Sequence, residues 1–187
     1  RLFPDDFINH TKKMASFFGV KHHIIDLNFY EDEEFLKNLP DRCYSCRNWM
    51  YESIEKYAQN NGFDYICDGN NISDLVIDRP GILITYKKKF ETPLIEAKLS
   101  SKEIHEYLIK NNISYSRSTT CLATRIPTNT KITKDKIEKI KKSENFLTEI
   151  SGCDVVKVRD LDGIGVCEVN DLSKIIDTNS FNKINDK

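Results

Sequence analysis

Helical periodicity alternates with short apolar runs along the first 120 residues, and this alternation limits the fold more than any single residue type does. Phe7, Thr11, Met14 and Phe18 keep helical spacing behind Pro4 and two acids, and Gly19 stops the pattern. Residues 22–27 read as a short strand, and residues 31–38 as a brief helix or turn ending before Pro40. A strong helix is expected over residues 44–59, with Cys46, Met50, Ile54 and Tyr57 on one seam and Asn60-Asn61-Gly62 closing it. Residues 63–67 then form a compact apolar strand that runs straight into Asp68-Gly69-Asn70-Asn71. That polar turn lies at a strand's carboxyl end, where open α/β sheets bind their ligands. The order argues for a layered, parallel α/β sheet.

Beyond this point the pattern changes. Asp78-Arg79-Pro80-Gly81 is a loop. Residues 82–90 are ambiguous, since an apolar half suggests a strand and Lys87-Lys88-Lys89 a solvated surface. Ser100-x-x-Glu103 is a capping box that opens a helix burying Ile104, Tyr107 and Leu108. Residues 114–127 carry little helical pattern. A helix over 133–148, strands over 154–159 and 163–169 joined by 160–162, and a short helix over 171–177 suggest a small second α/β unit. We therefore expect one α/β domain over residues 1–130 and a small C-terminal α/β domain over 131–187.

Composition narrows the classes of function. With 187 residues, 39% apolar and 30% charged, and a formal net charge of −1, the chain lacks the basic excess of a dedicated nucleic-acid binder. No apolar run approaches the roughly 20 residues that cross a bilayer. Arg1, not methionine, opens the chain almost directly on a helix, so its natural start is expected upstream. Six cysteines, two of them spaced Cys43-x-x-Cys46, do not resemble a disulfide-stapled secreted domain. They favour metal or redox chemistry in a reducing compartment, which points to the cytoplasm.

Cys43 and Cys46 sit at the mouth of the second helix, three positions apart, so both thiols share a face. Unpaired N–H groups, the positive end of the helix dipole and the flanking Arg42 and Arg47 favour thiolate there. Thiolates are what soft metal centres need. A pair of structural thiols, or half of a zinc site, explains the same spacing, although Cys153 and Cys167 supply no second CxxC. The four histidines show no ligand-like spacing. Cys67 ends a core strand, where a thiol serves as a small hydrophobe. Cys121 lies in the polar segment Ser116-Arg117-Ser118-Thr119-Thr120, where packing does not call for it, and is the better functional candidate. Three thiolates from Cys43, Cys46 and Cys121 would leave one corner of a four-cornered cluster open.

Glu144 is the other unusual residue. It shares a helix face with Ile137, Ile140 and Leu147, and a carboxylate on an apolar stripe must reach the rim or meet a cation. Lys157, Arg159 and Glu168 on the following strands could converge with it into a phosphate or divalent-ion site. A solvated charge ladder fits the spacing equally well.

Five segments, taken together, resemble the LarE family in content and order. They are Asp41-Arg42-Cys43-Tyr44-Ser45-Cys46-Arg47, Asp68-Gly69-Asn70-Asn71-Ile72-Ser73-Asp74, Asp78-Arg79-Pro80-Gly81, Pro93-Leu94-Ile95-Glu96-Ala97 and Cys121-Leu122-Ala123-Thr124-Arg125-Ile126-Pro127. The resemblance implies a PP-loop ATP pyrophosphatase fold. It also implies an activity: ATP adenylates a carboxylate of a pyridinium biscarboxylic acid mononucleotide, and sulfur replaces the activated oxygen on the way to a nickel-pincer nucleotide. Members without cysteine at positions 43 and 46 give up the sulfur of one cysteine. Members with all three, as here, hold a 4Fe-4S cluster on them and deliver sulfide from its fourth iron.

Carried over to this chain, the resemblance puts Asp68 and Asn70 beside the nucleotide and Arg125 and Arg159 on phosphate or activated substrate. Glu144 and Glu168 become candidate ligands for a divalent ion such as Mg2+, and a homo-oligomer is implied. The family's Ser-Gly-Gly-x-Asp-Ser loop, which holds the ATP pyrophosphate, does not occur in residues 1–187 and is expected to precede Arg1 by a strand and a helix. Two rivals keep part of this chemistry: a cluster-dependent tRNA thiolation enzyme of the same superfamily, and a non-enzymatic zinc-binding module.

Overall fold

The computed structural model describes residues 2–3, 5–76, 81–116, 120–161 and 163–176. Pro4, the loop positions Asp78, Arg79 and Pro80, residues 117–119 ahead of Cys121, Asp162 of the strand connection and Asp177 lie outside the described residues. Helices α1 (Asp5–Phe17), α2 (Glu33–Lys37), α3 (Arg42–Asn60), α4 (Ile72–Leu75), α5 (Ile82–Lys87), α6 (Pro93–Glu96) and α7 (Ser101–Lys110) come first. A 3-10 turn (Leu122–Arg125), α8 (Lys134–Ser151), strands β1 (Val156–Leu161) and β2 (Ile164–Val169) and α9 (Ser173–Ile176) follow. No described helix is long and apolar enough to cross a membrane.

The chain falls into two compact units. The CxxC unit comprises Ile8–Phe35 and Leu39–Arg117, and the Cys121 unit comprises Arg1–Phe7, Leu36–Asn38 and Ser118–Lys187.

In the CxxC unit α3 is the organising element. Tyr51 on α3, Ile84 on α5 and Phe90 form a buried cluster, with Tyr44, Met50, Ile54 and Ile66 packed against it. Tyr51 stacks on Phe90 with ring centres 4.5 Å apart. The expected Asn-Asn-Gly stop is present as a Schellman cap. Gly62 takes φ +70°, its N–H bonds Gln59 O, and Phe63 N–H bonds Ala58 O at 3.0 Å. The capping box on α7 is present too, with Ser100 Oγ accepting from Glu103 N and Glu103 Oε2 from Ser100 N. Those hydrogen bonds hold the Glu103 carboxyl below its ordinary range, the Ser100 hydroxyl most of all.

Several local readings differ from the sequence expectation, among them Tyr107 on α7, which is exposed rather than buried. Within residues 82–90, Ile82–Lys87 form the helix α5, with Ile84 and Thr85 fully buried and Lys88 N donating to Ile84 O at 2.9 Å. Residues 22–27 form no strand ladder among the described residues, and Ile24 and Ile25 are exposed. Residues 63–67 make one parallel bridge, Cys67 to Glu91, with Asp68 N donating to Glu91 O at 2.8 Å and Glu91 N to Ile66 O at 2.9 Å. An apolar run favours extended backbone, but a strand exists only through the N–H and C=O groups of a partner. Cys67, read as a small core hydrophobe, is exposed.

In the Cys121 unit α8 packs on β1 and on the 3-10 turn. Thr133 Oγ1 caps α8 by accepting from Lys136 N, and Gly152 at φ +61° ends it in the left-handed region. Ile137 and Ile140 on α8 are buried with Leu122, Ala123, Ile126, Ile132 and Val158. β1 and β2 pair antiparallel, with Val158 opposite Cys167 and Lys157 opposite Glu168. Asn38, fully buried at φ +58°, donates from Nδ2 to Pro127 O at 2.8 Å and Thr130 O at 2.9 Å, and so pins the segment that follows the Cys121 motif.

Candidate functional site

Cys43 and Cys46 stand in the first turns of α3, which begins at Arg42. The helix opens without side-chain help, since Asp41 makes no capping bond. Cys43 is exposed and Cys46 half-buried. Arg42 Nη2 donates to Cys43 Sγ at 3.3 Å, so one of the expected arginines does attend the pair.

The other arginine is committed elsewhere. Arg47 Nη2 lies 2.8 Å from Asp68 Oδ2, 3.1 Å from Asn70 Oδ1 and 2.6 Å from Tyr51 Oη. Its guanidinium carbon sits 5.0 Å from the centre of the Tyr51 ring. Thr85 Oγ1, fully buried, donates to Asp68 Oδ2 at 3.2 Å and accepts from Asn70 Nδ2 at 3.2 Å. Asp68 Oδ1 accepts from Asn70 N at 2.7 Å. Every polar group in this network has a partner, as a low-dielectric interior requires.

Asp68 and Asn70, expected beside a nucleotide, thus turn their side chains towards α3 and α5. Asn71, the next residue of that turn, caps α4 by accepting from Ser73 N while its own N–H meets Asp74 Oδ2. Sequence reading missed the partnership of Arg47 with Tyr51, Asp68 and Thr85. The signal available was an arginine and a tyrosine at i, i+4 directly behind the CxxC.

Cys121 occupies the position before the 3-10 turn and is half-buried. Its carbonyl accepts from Thr124 N at 2.9 Å and from Thr124 Oγ1 at 2.7 Å. Arg125, only 2% exposed, donates from Nε to Glu144 Oε1 at 2.7 Å and from Nη1 to Thr120 and Thr124 hydroxyls. Glu144 Oε1 also accepts from Val158 N at 2.9 Å. The odd carboxylate of the α8 stripe therefore meets a cation rather than the rim. One carboxylate ties the Cys121 turn, α8 and β1 together.

Arg159 and Glu168 form a second, exposed pair diagonally across β1 and β2, and Arg159 Nη1 donates to Thr124 O at 3.2 Å. Hydrogen bonding to Arg159 holds the Glu168 carboxyl below its ordinary range, and the same bond raises Arg159. Both carboxylates proposed for a divalent ion are thus engaged by arginines. Cys153 is buried and donates to Asp171 O at 3.4 Å. On β2 the Cys167 thiol is pushed up, first by burial of part of its surface and then by nearby Cys153, Glu144 and Glu168.

Among the described residues no three His, Cys, Asp or Glu side chains gather into a metal-sized group. Two soft donors on one helical face fit two adjacent corners of a thiolate-held centre, and Cys121, the third thiol of the expected set, belongs to the other unit. An open groove of about 370 Å³ in the CxxC unit, bordered by Phe63, Tyr65, Lys88 and Phe90, shares no lining residue with the cysteine pair or the Arg47 network.

No family model matches the chain. Over 160 residues it is 32% identical to an uncharacterized protein of Methanocaldococcus jannaschii, an alignment covering 84% of this chain and 63% of that protein. An uncharacterized protein of Synechocystis is 26% identical over 84% of this chain and 59% of its own length. The pyridinium-3,5-bisthiocarboxylic acid mononucleotide synthase of Lactiplantibacillus plantarum is 24% identical over 84% of this chain and 58% of its own length. The chain spans about three fifths of the curated relatives it matches. It is a distant relative of that synthase.

Proposed function

We propose that this chain carries the sulfur-handling part of an ATP-dependent sulfur transferase of the LarE kind. In this reading ATP adenylates one carboxylate of a pyridinium biscarboxylic acid mononucleotide, and sulfur then displaces AMP to leave a thiocarboxylate. The proposed fold is a PP-loop-type parallel sheet over residues 1–130 with a small α/β domain over 131–187. The observation that carries the reading is the cysteine pair in the first turns of α3, because packing has no use for an exposed thiol at Cys43. The distant likeness to a synthase whose product bears two thiocarboxylic groups supports it.

A 4Fe-4S cluster on Cys43, Cys46 and Cys121 would supply an iron corner open to sulfur. The chain's own residues have separate tasks. Arg42 holds Cys43 through its sulfur. Arg125 and Glu144 hold the turn that carries Cys121. Arg159, on the exposed strand pair, meets substrate phosphate by exchanging Glu168 for it, since phosphate matches the same guanidinium fork. Of the two carboxylates, Glu168 would be the one to hold the Mg2+ that accompanies ATP, since its arginine is exposed whereas that of Glu144 is buried.

Anaerobic reconstitution of the complete protein, followed by iron, zinc and labile-sulfide analysis and a visible spectrum, tests this reading. The expected product is brown with about four irons per chain. Substituting Cys43, Cys46 or Cys121 by Ala should abolish or degrade it, whereas Cys153→Ala or Cys167→Ala should not. A colourless protein holding one zinc, or an intact cluster in Cys121→Ala, sinks the assignment. A salt-sensitive tRNA gel shift would move the substrate to tRNA.

A further inference from the structure

Arg47 follows Cys46 by one residue, and its guanidinium is hydrogen-bonded to four other side chains. It reaches the turn after residues 63–67, where Asp68, Asn70, Tyr51 and Thr85 surround it within hydrogen-bond distance. Its aliphatic stem is confined as well. A Cβ added at Gly81, the N-cap of α5, would lie 2.9 Å from Arg47 Cδ, closer than such atoms approach. The side chain is thus gripped at both ends by segments distant in sequence. These contacts restrain α3 near its start against rotation about its axis. The Cα–Cβ directions of Cys43 and Cys46, four and one residues earlier on the same helix, turn with it.

We infer that Arg47 is a positioning residue for the Cys43–Cys46 pair, and that glycine stands at position 81 to admit its stem. A planar fork is needed, because one Nη2 is shared among Asp68, Asn70 and Tyr51 while Nε also donates to Tyr51 Oη at 3.0 Å. Lysine carries the charge but cannot reproduce that geometry. The inference rests on reading Cys43 and Cys46 as paired donors, but it needs no cluster.

The test uses the full chain, reduced, with phenylarsonous acid as a dithiol probe. The arsenical forms two As–S bonds and releases two waters, so its affinity reports how well two thiols are aligned. Peptide mass mapping identifies the Cys43–Cys46 adduct. Arg47→Lys should bind about tenfold more weakly at that pair, the order expected when one member of a coupled network is lost. Ile54→Val, which trims the same helix where it packs on the core cluster, serves as the stability control and should bind as the native chain does.

Native affinity in Arg47→Lys, or equal weakening in Ile54→Val, overturns the inference. Tight arsenical binding that depends on Arg47 in a protein that takes up no iron would uphold the positioning role and defeat the cluster reading.

Discussion

The two units each place an arginine shortly after a cysteine, and the two arginines are used differently. Arg125, four residues past Cys121, is 2% exposed and bonds a glutamate that also holds strand backbone. Arg47, one residue past Cys46, has a side chain 24% exposed and is shared among other side chains. Arg125 joins elements of a core, so its partner is structural first. Arg47 joins a helix mouth to a turn, and its bonds are spread over several side chains rather than one ion pair.

The largest effect should therefore come from the buried pair. Glu144→Ala leaves Arg125 in the interior without its counter-ion and strips Val158 N of its acceptor, and the expected cost is about 3–5 kcal/mol of stability in urea unfolding. A cost no greater than that of a surface ion pair, under about 1 kcal/mol, would erase the contrast between the two arginines.

Gly81→Ala should come next, at about 1 kcal/mol, since the new methyl displaces a flexible stem rather than backbone. Gly81 has φ −64°, which alanine accepts, so in an Arg47→Ala background the same change should turn neutral or stabilising. A double-mutant cycle that shows simple additivity would mean that the two residues do not touch.

Smallest is Glu168→Gln on the exposed pair, which should leave stability near neutral pH almost unchanged. The folded Glu168 carboxyl lies below its ordinary value, so its contribution is complete above the unfolded value and fades as pH falls through the folded one. Wild type and variant should therefore diverge slightly at neutral pH and converge in acid. Divergence that grows in acid would reverse the sign.

Features made by neighbouring residues were legible from sequence. The capping box at Ser100 and Glu103, the Asn-Asn-Gly stop of α3, the α8 helix and the β1–β2 pair each depend on contacts a few residues apart or on one short connection. So does the placement of Cys43 and Cys46 together on one helix face. The candidate site beyond that pair was only half legible: Glu144 stood out as misplaced, but its partner did not.

What the sequence determined alone is the cysteine pair, its helix and the suspicion attached to Glu144, because propensity, capping and periodicity act over one or two turns. Tertiary structure decided that Arg125 meets Glu144, that Arg47 meets an aspartate 21 residues away, and that residues 82–87 coil into α5. A charged group's partner is whatever the packing brings within reach of its desolvated head, and no local pattern encodes that choice.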